Sequence, residues 1–192
     1  MTINTIANIS KLALAAVLGL FLISGNAEAQ EGQKKQANKT SQVTKSKWVS
    51  ETHVDKMTSK NWYTSSVTST NSLNLDFPYQ GRNKGELIVR KNVRGGDSVM
   101  ISVDKGQILC SGYDGCTVTV RFDDDEPVHF DGVGAADYDS KVVFIKHSAP
   151  FIEKAINATR ILVSVRFYRH GDQILQFNTG LPLTWTETAS IK

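Results

Sequence analysis

Features that many protein classes depend on are scarce or missing in this sequence. Only two of the 192 residues are cysteine and four are proline, which excludes a disulfide-dense scaffold and a proline-rich chain. The formal net charge is only +3, and the charges nearly balance beyond residue 47, so the sequence lacks the strongly basic composition of a nucleic-acid-binding domain. No apolar run reaches the roughly 20 residues that a membrane-spanning helix needs. We therefore expect an ordinary globular domain that binds no nucleic acid.

Motifs that carry catalysis or cofactor binding are also missing. The sequence contains no G-x-S-x-G elbow, no P-loop and no H-E-x-x-H pattern. Its histidines are not in zinc-ligand spacing. We expect a protein that is not an enzyme and that uses no cofactor and no metal.

The first 29 residues have the three-part layout of a secretory signal peptide. Lys11 precedes the apolar run Leu12–Ile23, and Ala27-Glu28-Ala29 forms a small-x-small cleavage site. At twelve residues the run is too short for a retained anchor, and no cysteine follows the site for lipid attachment. We expect a periplasmic protein that begins near Gln30 and has no transmembrane segment.

The exported chain is predicted to have two parts. Residues 30–47 contain five lysines against Glu31 alone and almost nothing apolar, which predicts a flexible basic tether. Such a tether is most often a solubilising spacer, and the alternative is weak attraction to anionic lipid heads or cell-wall polymer. Residues 48–192 are expected to form one β-rich domain.

The domain is predicted to be mainly β, an antiparallel β-sandwich-like single domain with one short helix. Apolar residues recur at every second position, and turn residues separate the runs. Residues 48–61 are expected to be a short helix or lead-in, and Ser148 with Pro150 marks the start of the helix. We expect about nine strands, among them a hairpin of Ile161–Tyr168 with Gln173–Asn178. The clearest alternating runs are Val99/Ile101/Val103, Val118/Val120/Phe122 and Ile161/Val163/Val165/Phe167.

The two cysteines enclose a short loop. In an exported chain Cys110 and Cys116 are expected to bond to each other, stapling a β-hairpin across its turn. A redox-active pair would normally have C-x-x-C spacing, which is absent. Within the loop, Ser111, Tyr113 and Asp114 are the candidate binding residues, because tyrosine is favoured in binding hot spots and Tyr113 is at the tip.

Four consecutive acidic residues, Asp123, Asp124, Asp125 and Glu126, form the only dense polar cluster. One interpretation is a Ca²⁺ site, but Pro127 occupies a ligand position of the EF-type spacing. The favoured interpretation is a solvated hairpin turn. Paired carboxylates for glycoside cleavage are a further alternative, which the sequence does not specifically support.

Short segments follow one another in a characteristic order from Trp62 onward. They are Gly85–Arg90, Val99–Ile101, Val118–Asp124, Phe144-Ile145, Phe151-Ile152, Ile174–Phe177 and Gly180-Leu181. This order, over about residues 62–181, resembles that of the periplasmic accessory proteins associated with type VI secretion. That resemblance implies an exported, non-enzymatic β domain and transfers no catalytic residue.

Three alternative functions are compatible with this sequence. The first is a binding or accessory protein of the bacterial cell envelope, with an envelope protein as partner. The alternative is an inhibitor or immunity protein that presents the cysteine loop to an exported enzyme. The third, a hydrolase that uses the carboxylates between residues 123 and 139, has the least support.

Overall fold

The structure, a computed structural model, describes residues 45–92 and 96–184. The predicted signal peptide, residues 30–44 of the predicted tether and residues 185–192 of the predicted domain lie outside the described residues. Within the described ranges the chain forms a single domain of nine strands with one short helix, so the predicted mainly β fold is confirmed. The elements are β1 (Val49–Val54), β2 (Asn61–Thr68), β3 (Gly85–Lys91), β4 (Ser98–Val103), β5 (Cys116–Phe122), β6 (Val128–Gly134), β7 (Val142–Ile145), α1 (Ala149–Ala155), β8 (Arg160–Phe167) and β9 (Gly171–Asn178).

All nine strands belong to one antiparallel sheet in the order β1-β2-β3-β4-β7-β6-β5-β8-β9. The sheet curls until the segment after β2 reaches β9. The backbone N–H of Thr70 donates to the Gln176 carbonyl at 2.7 Å, and the Asn71 side chain donates to the Ile174 carbonyl at 2.8 Å. The inward faces of β2 to β9 therefore surround one core, as expected for a sandwich-like domain.

Helix α1 lies against the core, and its largest buried side chain is the aromatic ring of Phe151. Phe151 is fully buried, with its ring centroid 5.2 Å from that of Phe122 and 5.5 Å from that of Phe130. Pro150 is in the first turn, as predicted, but the Ser148 side chain makes no helix cap. Its hydroxyl instead donates to the Ile145 carbonyl and accepts the N–H of Val99, which ties the start of the helix to β7 and β4.

Two local predictions were wrong. Residues 49–54, expected as part of a short helix or lead-in, form strand β1. Their mostly polar sequence favours no single conformation, and pairing with β2 gives their backbone N–H and C=O groups hydrogen-bond partners. The segment before Cys110 does not pair with β5. It runs along the end of β8, where the N–H of Leu109 donates to the Arg166 carbonyl at 2.8 Å, and β5 pairs with β6 and β8 instead.

Candidate functional site

The cysteine loop, residues 110–116, is closed by the predicted disulfide between Cys110 and Cys116. Inside it, the Ser111 hydroxyl accepts the backbone N–H groups of Tyr113 at 3.0 Å and Asp114 at 3.1 Å. The Ser111 carbonyl accepts the N–H of Gly115 at 3.1 Å. Ser111, expected as a binding residue, thus shapes the turn, and the side chains of Tyr113 and Asp114 are exposed at its tip.

A second loop, residues 135–141 between β6 and β7, lies beside the cysteine loop. The two backbones approach closely at Gly134, whose N–H donates to the Ser111 carbonyl at 3.2 Å. A Cβ atom at Gly134 would lie 2.4 Å from the Cys110 carbonyl oxygen, so only glycine permits this approach. The N–H of Ile108 also donates to the Ser140 carbonyl at 2.8 Å. The relative position of the two loops is therefore fixed by backbone contacts.

Between the two loops lies an open groove of 760 Å³, which we call the tyrosine groove. Tyr113 stands on one rim with 93 % of its surface exposed, and Tyr138 stands on the other with 90 %. Leu109 adds a partly exposed apolar surface, and Asp114 and Asp139 supply negative charge. Aromatic rings beside carboxylates suit a partner segment that combines an apolar side chain with a lysine or arginine.

The acidic cluster is the turn of the β5–β6 hairpin, and two of its carboxylates, those of Asp123 and Asp124, are held at the start of β8. The carboxylate of Asp123 accepts the N–H groups of Thr159 at 3.0 Å and Arg160 at 2.8 Å and the Thr159 hydroxyl at 3.0 Å. Asp124 pairs with the guanidinium of Arg160. Asp123 and Asp124 thus connect this turn to the start of β8, and the cluster has a structural role at these two positions.

The pKa of Asp123 is lowered by these contacts. Partial burial acts to raise it, but the hydrogen bonds from Arg160 and Thr159 and the positive charge of Arg160 outweigh burial. A carboxyl group whose pKa is lower in the folded state binds fewer protons there than in the unfolded chain, so its contribution to stability rises with pH. That contribution is complete above the unfolded-state pKa, about 3.9, and is lost as the pH falls through the folded value.

We expect Asp123→Asn to lower the free energy of unfolding by about 1 kcal/mol at pH 7, a value reduced for solvent screening. Asparagine tolerates the positive φ of 46° at this position, so the loss reports the charge rather than the backbone. Urea unfolding from pH 7 down to pH 2 checks this, and the difference from wild type should shrink below about pH 4. Asp125→Asn is the matched control, since the Asp125 carboxylate makes no hydrogen bond within residues 45–92 and 96–184. A pH-independent difference would contradict the assignment.

The sequence placed Tyr113 at an exposed tip but missed the partner loop. In the sequence, nothing distinguishes Tyr138 from the other aromatic residues, Asp139 from the other acids or Leu109 from the other leucines. The only local hint was the small-residue run Gly134-Ala135-Ala136, which permits close backbone approach. Tyr138 adopts a positive φ of 62°, which is uncommon for an aromatic residue and follows from the tight turn.

In the part of the chain that the structure describes, no group of three or more His, Cys, Asp or Glu side chains could hold a metal ion. Over the same residues no helix has the length and apolar character needed to cross a membrane. Comparisons with protein-family models, with curated proteins and with solved structures gave no match.

Proposed function

We propose that the protein is an exported, non-enzymatic binding or accessory protein of the bacterial cell envelope that holds a protein partner in the tyrosine groove. The observation that carries the proposal is the pair of exposed tyrosines, Tyr113 and Tyr138, on two loops that backbone contacts fix in place. Tyrosine is enriched in binding hot spots, and a loop that is already ordered loses little entropy on binding. The signal-peptide pattern and the disulfide support an oxidising compartment outside the cytoplasm.

The partner class follows from the charges around the groove. Asp114 and Asp139 line it, and Asp137 lies in the same loop as Tyr138. Lys141 pairs with Asp139, which leaves Asp114 and Asp137 without an ion pair among the described residues. A protein segment with an arginine or lysine beside an apolar anchor complements this rim. The resemblance to secretion accessory proteins favours an envelope protein as the source of that segment.

A second candidate function is inhibition of an exported enzyme. The specific observation in its favour is the protruding tip of the cysteine loop, with Tyr113 almost fully exposed on a disulfide-closed turn. A rigid protruding loop can enter an active-site cleft without rearrangement. In this case the partner would be an enzyme, and its activity should fall in proportion to the protein added.

The test begins with capture of partners from an envelope extract on the tagged protein, followed by purification of the protein recovered. We expect Tyr113→Ala and Tyr138→Ala each to weaken its binding at least tenfold, as for residues that cost more than about 1.4 kcal/mol on truncation. Isothermal titration calorimetry with the purified pair measures this directly.

Asp124→Ala serves as the matched control, because Asp124 is exposed in the β5–β6 turn and does not line the groove. Equal affinity for wild type and both tyrosine variants would refute the groove as the binding site. An assay of the partner's own activity, with and without the protein, separates the accessory function from the inhibitory one.

A further inference from the structure

Strand β1 leaves one edge of the sheet open. It is the first strand in the sheet order and pairs only with β2. At the opposite end, β9 is covered by the segment after β2, because Thr70 and Asn71 bond to Gln176 and Ile174. Among the described residues, β1 is thus the strand whose outer edge has no cover.

The phase of the β1–β2 ladder determines which groups point outward. The N–H of Asp55 donates to the Lys60 carbonyl at 2.8 Å, so positions 55, 53, 51 and 49 face β2 with their hydrogen-bonding groups. Because the ladder alternates, the N–H and C=O groups of Ser50, Thr52 and Val54 point away from the sheet. Within residues 45–92 and 96–184, these groups have no hydrogen-bond partner in the structure.

The strand lacks most of the usual protections of an exposed edge, and Glu51 is its one carboxylate. Residues 49–54 contain no proline and no lysine, and the register against β2 runs without a bulge from Val49 to Val54. Most of the strand is exposed on both faces of the sheet. An exposed, regular edge of this kind is a template for another strand.

The sequence of β1 is complementary to itself about Thr52. In an antiparallel pair of two β1 strands with Thr52 opposite the partner's Thr52, Ser50 falls opposite the partner's Val54. Those positions exchange six backbone hydrogen bonds. Glu51 then falls opposite the partner's His53 in a non-hydrogen-bonded pair, the type in which side chains come closest, at a Cα separation of about 4.5 Å.

We propose that two copies of the protein form a symmetric dimer by antiparallel pairing of their β1 strands about Thr52. Within one copy, His53 is stacked on Trp62 with ring centroids 4.0 Å apart, and its Nε2 atom lies 3.6 Å from the Glu51 carboxylate. Pairing places Glu51 of each copy beside His53 of the other, so that two glutamates and two histidines alternate on one face of the joined sheet. Such an interface is isologous and closes at two copies, because the free β1 edge of each copy is paired with that of the other.

Sedimentation velocity over a dilution series tests the dimer. The sample is the full chain, expressed in a bacterium and purified in whatever form export leaves it. We expect wild type to be dimeric at high concentration and to dissociate on dilution. Thr52→Pro should weaken dimerisation at least 100-fold, because it removes an outward N–H and places a ring in the interface. It costs no β1–β2 hydrogen bond, and circular dichroism checks that the variant is folded. Thr52→Val, which keeps the N–H, is the matched control and should remain dimeric.

Exchanging Glu51 and His53 tests the register independently of the proline. His53→Glu places Glu51 opposite a second glutamate and should weaken the dimer roughly tenfold. The double variant Glu51→His/His53→Glu again places a histidine opposite each glutamate and should recover most of that loss, although both variants lack the stacking on Trp62. A wild-type protein that stays monomeric at all concentrations would overturn the proposal and leave the edge to a strand from another protein. A dimer unaffected by Thr52→Pro, or a double variant no better than the single one, would overturn it as well.

Discussion

Replacing Phe151 with alanine should lower the free energy of unfolding by about 3–5 kcal/mol, the largest stability loss that we expect from one substitution. Phe151 is fully buried, and its ring contacts those of Phe122 and Phe130 edge-on. Truncation removes these contacts and leaves a cavity that the surrounding sheet cannot close. A domain of this size is typically stable by about 5–15 kcal/mol, so a large share would be lost.

The effect should extend to helix α1, which has only seven residues. A helix this short is not stable in water alone, so its formation depends on the side chains that it buries. Phe151 is the largest of those, beside Ile152 and Ala155. Urea unfolding, followed by fluorescence and by circular dichroism, measures the stability loss.

Phe77→Ala is the matched control, because the chemical change is the same and Phe77 is 81 % exposed. That variant should differ from wild type by no more than about 0.5 kcal/mol. Similar losses in the two variants would mean that the packing of α1 against β5 and β6 does not stabilise the domain.

The strands that the sequence predicted well are those with one buried face. In β4, β5 and β8 an apolar core residue stands at every second position, and the positions between are polar except for Met100 and Leu162. Each alternation matches an inward and an outward face in the structure. The β8–β9 hairpin was predicted because its turn, His170-Gly171-Asp172, separates two such runs. A strand that is buried on one face needs an apolar residue at every second position, and this spacing is visible in the sequence.

Strand β1 was missed for the opposite reason. Its residues are exposed on nearly every position, so burial imposes no period, and the sequence Val-Ser-Glu-Thr-His-Val is compatible with several conformations. The strand forms because it pairs with β2, and the sequence of residues 49–54 does not reveal that pairing.

The tyrosine groove depends on sheet order rather than on local pattern. β7 inserts between β4 and β6, which carries the loop with Tyr138 next to the loop with Tyr113. No spacing in the sequence encodes that insertion. The same holds for Asp123, whose partners Thr159 and Arg160 lie 36 and 37 positions further along the chain. Sequence patterns gave the exposed tyrosine, and only the topology gave its counterpart.

Removing the disulfide is expected to affect both stability and binding. The double variant Cys110→Ser/Cys116→Ser should lower the free energy of unfolding by about 2 kcal/mol, the chain-entropy estimate for so short a loop. Besides the disulfide, the loop is held by the hydrogen bond from the Gly134 N–H to the Ser111 carbonyl and by the local hydrogen bonds of Ser111, while Tyr113 and Asp114 are exposed. We therefore expect the affinity for the partner to fall at least tenfold, because binding must then order the loop.

Gly112→Ala is the control for this experiment. Gly112 is in the same loop, and a Cβ atom there would meet nothing within 4 Å, so stability and the disulfide should both be retained. Unfolding and calorimetric titration on the same preparations separate the two effects of the disulfide. If stability falls and affinity stays the same, the cysteine loop does not form the binding surface, and the proposal for the groove fails. If affinity falls while the variant remains folded at the temperature of the titration, the loss is due to the loop itself, because β6 and the 135–141 loop keep their own backbone contacts.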